Sequence, residues 1–134
     1  MSSNYMLPSR EDFIKAVEEV TKREDFSLKP QGWKVLVAMP DYAKTTKGGI
    51  ALPDEYVQRE EMASPVGYVV ALGDSCYADQ ARFPSGPYCK EGDFIIMRPF
   101  SGTRVVLHDK EFRFINDDTV EGVVQDPSNI KRIA

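Results

Sequence analysis

Trp33-Lys34-Val35-Leu36-Val37-Ala38, followed by Met39-Pro40, is the stretch that decides the fold. Trp33, Val35 and Val37 alternate with Lys34, Leu36 and Ala38, and a period of two is that of a strand. Pro40 has no N–H to give to a ladder, so it closes the strand. Downstream, Val66 to Gly73 reads as a second strand and Asp93 to Arg98 as a third. Thr103 to Leu107 and Glu111 to Ile115 read as two more, joined by the tight turn His108-Asp109-Lys110. Val120 to Val124 is the last, before a polar tail. Between the second and third strands runs a turn-rich segment, Asp74 to Glu91, with Pro84, Gly86 and Pro87. Short strands with regular turn signals and no interleaved helices predict an all-β fold, a barrel or a sandwich. A small barrel would remove exposed strand edges.

Upstream the period changes. Phe13, Val17 and Val20 stand at i, i+4 and i+7, with Ile14 beside them, which predicts an amphipathic helix over residues 9–24. Ser9 fits the N-cap, and Glu11 and Asp12 place negative charge in the first turn. The apolar stripe can pack on the domain or dock on a neighbouring surface.

The chain has 134 residues, one domain by length and enough for a single sizeable core. Hydrophobic residues make up 42% and charged residues 28%, as in ordinary globular proteins. A net charge of −4 gives no general attraction to nucleic acid or to an anionic membrane. The apolar runs are too short for a membrane span. The opening residues Met1 to Pro8 lack the charged and apolar regions of a secretory signal. A cytoplasmic chain is therefore expected, with Cys76 and Cys89 reduced.

Catalytic patterns are missing. The one histidine, His108, stands in a predicted turn without a metal-spaced partner, so a solvated turn residue is the expectation. Cys76 and Cys89 are thirteen positions apart and form no CxxC pair. No nucleophile elbow, zinc-protease, phosphate-loop or dinucleotide motif occurs. Asp117-Asp118 reads as a solvated corner. No catalytic residue, metal site or cofactor is expected.

The segment Lys44 to Pro53 is of another kind: Lys44-Thr45-Thr46-Lys47-Gly48-Gly49-Ile50-Ala51-Leu52-Pro53. Gly48 and Gly49 make the backbone costly to order. They support an isolated apolar triplet, Ile50-Ala51-Leu52, stopped by Pro53. Either Ile50 and Leu52 fold back onto the domain's own core, or they are offered to a partner.

The order of these pieces resembles the GroES-type co-chaperonins, the lids of bacterial chaperonin rings. Trp33-Lys34-Val35-Leu36-Val37 after Pro30 is followed by Thr46 to Pro53, Gly67 to Gly73 and Glu91-Gly92-Asp93-Phe94-Ile95-Ile96. Phe100-Ser101-Gly102-Thr103, Glu111 to Ile115 and Asp117 to Val124 complete the pattern, which covers roughly residues 30–124. The segment Arg82 to Asp93, and the tail with Asp126-Pro127, Ile130 and Arg132, look most like versions carried by tailed bacteriophages.

The resemblance implies an irregular small β-barrel at 30–124, after an N-terminal extension at 1–29 that carries the helix, and before a C-terminal tail at 125–134. It implies a ring of seven identical subunits. Each would carry a mobile loop, here about 41–63, whose Ile50, Ala51 and Leu52 dock on a chaperonin subunit, with Gly48 and Gly49 supplying flexibility. It also implies a roof segment, here about 74–90, over a cavity that encloses an unfolded client. ATP would be bound by the partner ring, in the bacterial cytoplasm, and a phage version could serve a capsid protein. This chain departs from the pattern in three ways. Ala51 is smaller than the usual middle residue, the roof segment lacks period-two alternation and holds two prolines, and the helix and tail are additions. Phe100 to Thr103 reads either as a rim segment or as an ordinary turn. The competing reading of the whole chain is an oligomeric β-barrel of a virion. A dehydrogenase fragment is excluded by the missing dinucleotide motif.

Overall fold

The structure, a computed structural model, describes residues 7–41, 55, 59, 61 and 63–130. The helix α1 spans Arg10–Thr21. Ser9 starts it from an extended backbone, and its hydroxyl accepts from the Asp12 N–H at 3.2 Å, satisfying one of the donors that a helix start leaves open. The helix ends at Lys22, whose N–H donates to the Glu18 carbonyl. Phe13, Val17 and Val20 are its buried residues, the stripe that the sequence spacing selects.

Six strands follow among the described residues: β1 Lys34–Ala38, β2 Val66–Leu72, β3 Phe94–Met97, β4 Thr103–Leu107, β5 Lys110–Asn116 and β6 Val120–Val124. They form one sheet in the order β4-β5-β1-β2-β3-β6, and every neighbouring pair is antiparallel. The register of β1 on β2 shifts between Leu36 and Val37, and that of β3 on β6 between Ile96 and Met97. Such irregularities raise the local twist and help a sheet curl. One apolar cluster draws Val35, Val37, Val69, Ile95, Met97, Ile115 and Val120 from five of the strands, so the sheet wraps around it. This is the expected all-β fold with one short helix.

The alternation along β1 reads differently in three dimensions. Val35 to Ala38 are all buried, on both faces of the strand. Val35 and Val37 enter the inner cluster, whereas Leu36 and Ala38 belong to a second one with Phe13, Val17, Val20, Val66, Phe94 and Phe112. Helix α1 is what covers this second face. Phe13 meets Phe94 edge-on at 5.2 Å between ring centroids, and Phe94 meets Tyr68 at 5.1 Å. Trp33, expected to open the strand, precedes it and is exposed.

The β4–β5 turn is also tighter than expected. Leu107 pairs with Lys110, leaving His108 and Asp109 as the two turn residues, with φ of 51° and 62°. Two positive φ angles are those of the turn whose twist matches a hairpin. Lys110 therefore belongs to β5.

Gly73, at the end of β2, is required by a close approach. A Cβ there would lie 2.2 Å from the Gly32 carbonyl oxygen, and that oxygen is fixed by the Ser75 N–H at 3.0 Å. Gly73→Ala should cost about 2–3 kcal/mol of stability, as overpacking against backbone does. Gly122→Ala, whose Cβ would find only Ile96 at 3.9 Å, should change it little. Denaturant unfolding of the two variants checks this; equal stabilities would show that the β2 end can shift aside.

Candidate partner-binding site

Gly48, Gly49, Ile50, Ala51 and Leu52 lie outside the described residues. What the structure places are the two points between which their segment leaves and returns. Ala38 pairs with Tyr68 across β1 and β2, so residues 42–62 depart from and rejoin adjacent strands.

The departure point is held by charge. After β1, the Met39 N–H donates to the Glu111 carbonyl at 2.9 Å. Two residues on, the Asp41 carboxylate accepts from Lys110 Nζ at 3.1 Å. The Lys110 side chain is only 4% exposed and that of Asp41 is 59% exposed. Nζ also sits 5.5 Å from the centre of the Phe13 ring, within cation–π range.

The return point is held by burial. Ala63 and Ser64 are buried, and the Ser64 hydroxyl accepts from the Val66 N–H at 3.1 Å. Pro65 accepts from Met97 N–H at 2.8 Å. Just before it, Glu55, Arg59 and Glu61 are helical, within the range that the resemblance assigns to a mobile loop. Asp54 to Met62 is rich in Glu, Gln, Arg and Met, good helix formers, and that composition is the signal to read.

Arg113 lies fully buried in β5 directly opposite Arg104 in β4, a pairing that repels on its own. Glu111 resolves it. Its Oε1 accepts from Arg104 Nη2 at 3.0 Å and its Oε2 from Arg113 Nε at 2.8 Å. Burial pushes the Glu111 carboxyl up, but the two guanidinium groups outweigh it and hold it below the usual glutamate range. Arg113 Nη1 also donates to the Ser101 carbonyl, which steadies the turn between β3 and β4. In that turn Phe100 stands exposed with φ 64°.

Residues 74–90 contain no strand. Tyr77 and Phe83 turn into the inner cluster, and Tyr77, Phe83 and Tyr88 pack on one another at 4.9–5.4 Å. The Tyr77 hydroxyl donates to the Asp117 carbonyl at 2.7 Å, and the Tyr77 N–H donates to Asp117 Oδ2 at 3.0 Å. Asp117 is thus buried, not the solvated corner the sequence implied; Asp118 alone is at the surface, paired with Arg82 at 2.7 Å. Cys76 and Cys89 are free thiols, and burial pushes both up from the ordinary range. His108 reaches the N-terminal extension, with Nε2 3.3 Å from Asp25 Oδ2. Among the described residues no group of His, Cys, Asp and Glu is placed to hold a metal ion, and no helix is long and apolar enough to cross a membrane.

A carboxyl whose folded pKa is depressed contributes stability above its unfolded pKa and loses it as pH falls through the folded value. Glu111→Gln should therefore lower stability at pH 7 by about 2 kcal/mol, since a buried guanidinium loses its countercharge. The gap between variant and parent should narrow as pH falls below the free glutamate value of about 4.3, and close once pH is below the depressed folded value, where the carboxyl protonates. Unfolding curves across pH test it; a gap constant down to pH 3 would mean that the charge plays no part.

The profile of the chaperonin 10 Kd subunit family matches residues 27–124. A co-chaperonin GroES of Staphylococcus epidermidis is 29% identical over 98 residues, covering 73% of this chain and 99% of that protein. Those of Staphylococcus haemolyticus and Rubrobacter xylanophilus are each 30% identical over 99 residues, covering 74% of this chain and 99% and 98% of theirs. The match takes in all six strands, both anchors and the segment between them, and on it this chain belongs to the chaperonin 10 Kd subunit family.

Proposed function

We propose that this protein is a co-chaperonin that caps an ATP-driven, GroEL-type chaperonin ring and closes its folding cavity. The observation that carries the reading is the family match over 27–124, to relatives that are themselves named co-chaperonins. The anchored excursion at 42–62 supports it. In this reading seven copies form a ring, and Ile50, Ala51 and Leu52 of each copy dock on the partner, with Gly48 and Gly49 as the flexible support. The finer form, a phage-encoded lid for a capsid protein in the host cytoplasm, rests on Arg82 to Asp93 and on the tail.

The energetics fit a contact that must form and release. Burying Ile50 and Leu52 contributes roughly 1.5–3 kcal/mol each. Ordering the residues around them costs about 1–2 kcal/mol per residue. One loop binds weakly, and several on one ring bind tightly through their effective concentration.

Native mass measured with and without a chaperonin ring and ATP tests the reading, which predicts a ring that adds to the chaperonin only with nucleotide. No association under any nucleotide condition sinks it. Ile50→Asp should abolish chaperonin-assisted refolding while leaving the ring assembled. Ala51→Val restores two methyl groups at about 0.8 kcal/mol each when buried, so it should tighten binding in titration. Equal or weaker binding by the valine variant would remove Ala51 from the contact. Limited proteolysis should cut first near Lys44 or Lys47, and chaperonin with nucleotide should protect those sites.

A further inference from the structure

Residues 1–26 of the N-terminal extension lie outside the family match, which begins at residue 27, yet this part of the chain reaches the departure point of the partner-binding segment. Lys110 is the link. Its ammonium is enclosed with two neighbours: the Phe13 ring of α1 at 5.5 Å and the Asp41 carboxylate at 3.1 Å. A buried lysine has few ways to be satisfied, so its partners are held to it. The same hairpin is gripped by the extension at two further points. His108 meets Asp25 at 3.3 Å, and Phe112 packs on Phe26 at 5.7 Å between ring centroids. The Met39 N–H bond to Glu111 then fixes the backbone that leads to Asp41.

We propose that Lys110 is a positioning residue through which the N-terminal extension fixes the chain at Asp41, and so sets where the segment bearing Ile50-Ala51-Leu52 leaves the domain. The inference rests on the co-chaperonin reading and adds to it a role for the extension. Without the tie, Met39 to Asp41 must be ordered anew on each docking. Each residue so released costs binding at every loop of the ring, and the losses compound.

The test uses the full-length protein, a GroEL-type chaperonin ring and ATP. Asp41→Ala removes an exposed side chain but leaves the Lys110 ammonium without its carboxylate, so its melting temperature should fall. Its ring should cap the chaperonin at least tenfold more weakly at unchanged native mass, with faster amide exchange at Met39. Lys110→Met keeps the buried stem and should match it. The double variant should be no weaker than either single one, because both remove the same pair. Phe13→Leu should weaken capping two- to fivefold, through loss of the ring face. Lys22→Ala, which removes only the exposed Glu18 pair on the same helix, should change nothing.

Parent-like capping by Asp41→Ala overturns the proposal, as does a double variant whose loss is the product of the singles. If the parent protein itself fails to cap the ring, the co-chaperonin reading falls and this role falls with it. Capping by the parent alongside unaffected variants overturns the positioning role alone.

Discussion

Strand β1 is buried on both faces, and the rest of the molecule depends on how those faces are covered. Its inner residues Val35 and Val37 meet the side chains that the curled sheet brings together, while Leu36 and Ala38 would face water without α1. The helix is held to that face by Phe13, Val17 and Val20, and burying each contributes roughly 1.5–3 kcal/mol. An isolated helix of its 12 residues would be marginal in water, so the sheet makes the helix as much as the helix covers the sheet. The helix also meets the tail, since Arg10 Nε donates to the Gln125 carbonyl at 3.1 Å and Ile130 packs on the same cluster.

Burying both faces of a central strand forces charges inward at the neighbouring one. Lys110 and Arg113 lie on opposite faces of β5, Lys110 beside the helix and Arg113 toward the turn before β4. Neither could be buried alone, because an unpaired charge out of water is far costlier than any packing gain nearby. Each is resolved by a carboxylate at a short distance, Asp41 for one and Glu111 for the other. These pairs add little stability compared with a well-packed apolar core, but they discriminate between registers. A slip of β5 by one residue would exchange the two faces and strand both cations.

The strands were legible because period two, Pro40 and the hairpin turn are local signals. So was α1, through Ser9 and the 13/17/20 spacing. The second buried face of β1 was not, because one strand cannot show whether a helix distant in sequence will cover it. Lys110 was read as a turn residue, although its alignment with Phe112 and Phe114 in the alternation marked it as facing the helix. Asp117 was read as solvent-facing because its partner, Tyr77, lies forty positions away and long-range pairing leaves no local trace. The helical residues at Glu55, Arg59 and Glu61 lie in a stretch whose composition favours a helix, although the family resemblance assigns it to a mobile loop. The triplet Ile50-Ala51-Leu52 stands out as large aliphatics beside two glycines, but those residues alone leave a fold-back onto the core open, and the reading as a contact comes from the resemblance of the ordered segments around it.

The extension also bears on what sets this chain apart within its family. The Staphylococcus epidermidis relative is used up over 99% of its length by a 98-residue match, so it has no counterpart to a further helix. Here Leu36, Val66, Phe94 and Phe112 form an apolar surface on the outer face of the sheet, and it is filled from within the same chain. An apolar face satisfied internally is no longer available to a neighbour. Exposed apolar side chains remain elsewhere among the described residues, such as Val106 in β4 and Val123 in β6, the two end strands of the sheet. Covering the face from within thus ties the helix to the fold's own stability, with no contact from outside the chain needed to keep that face from water.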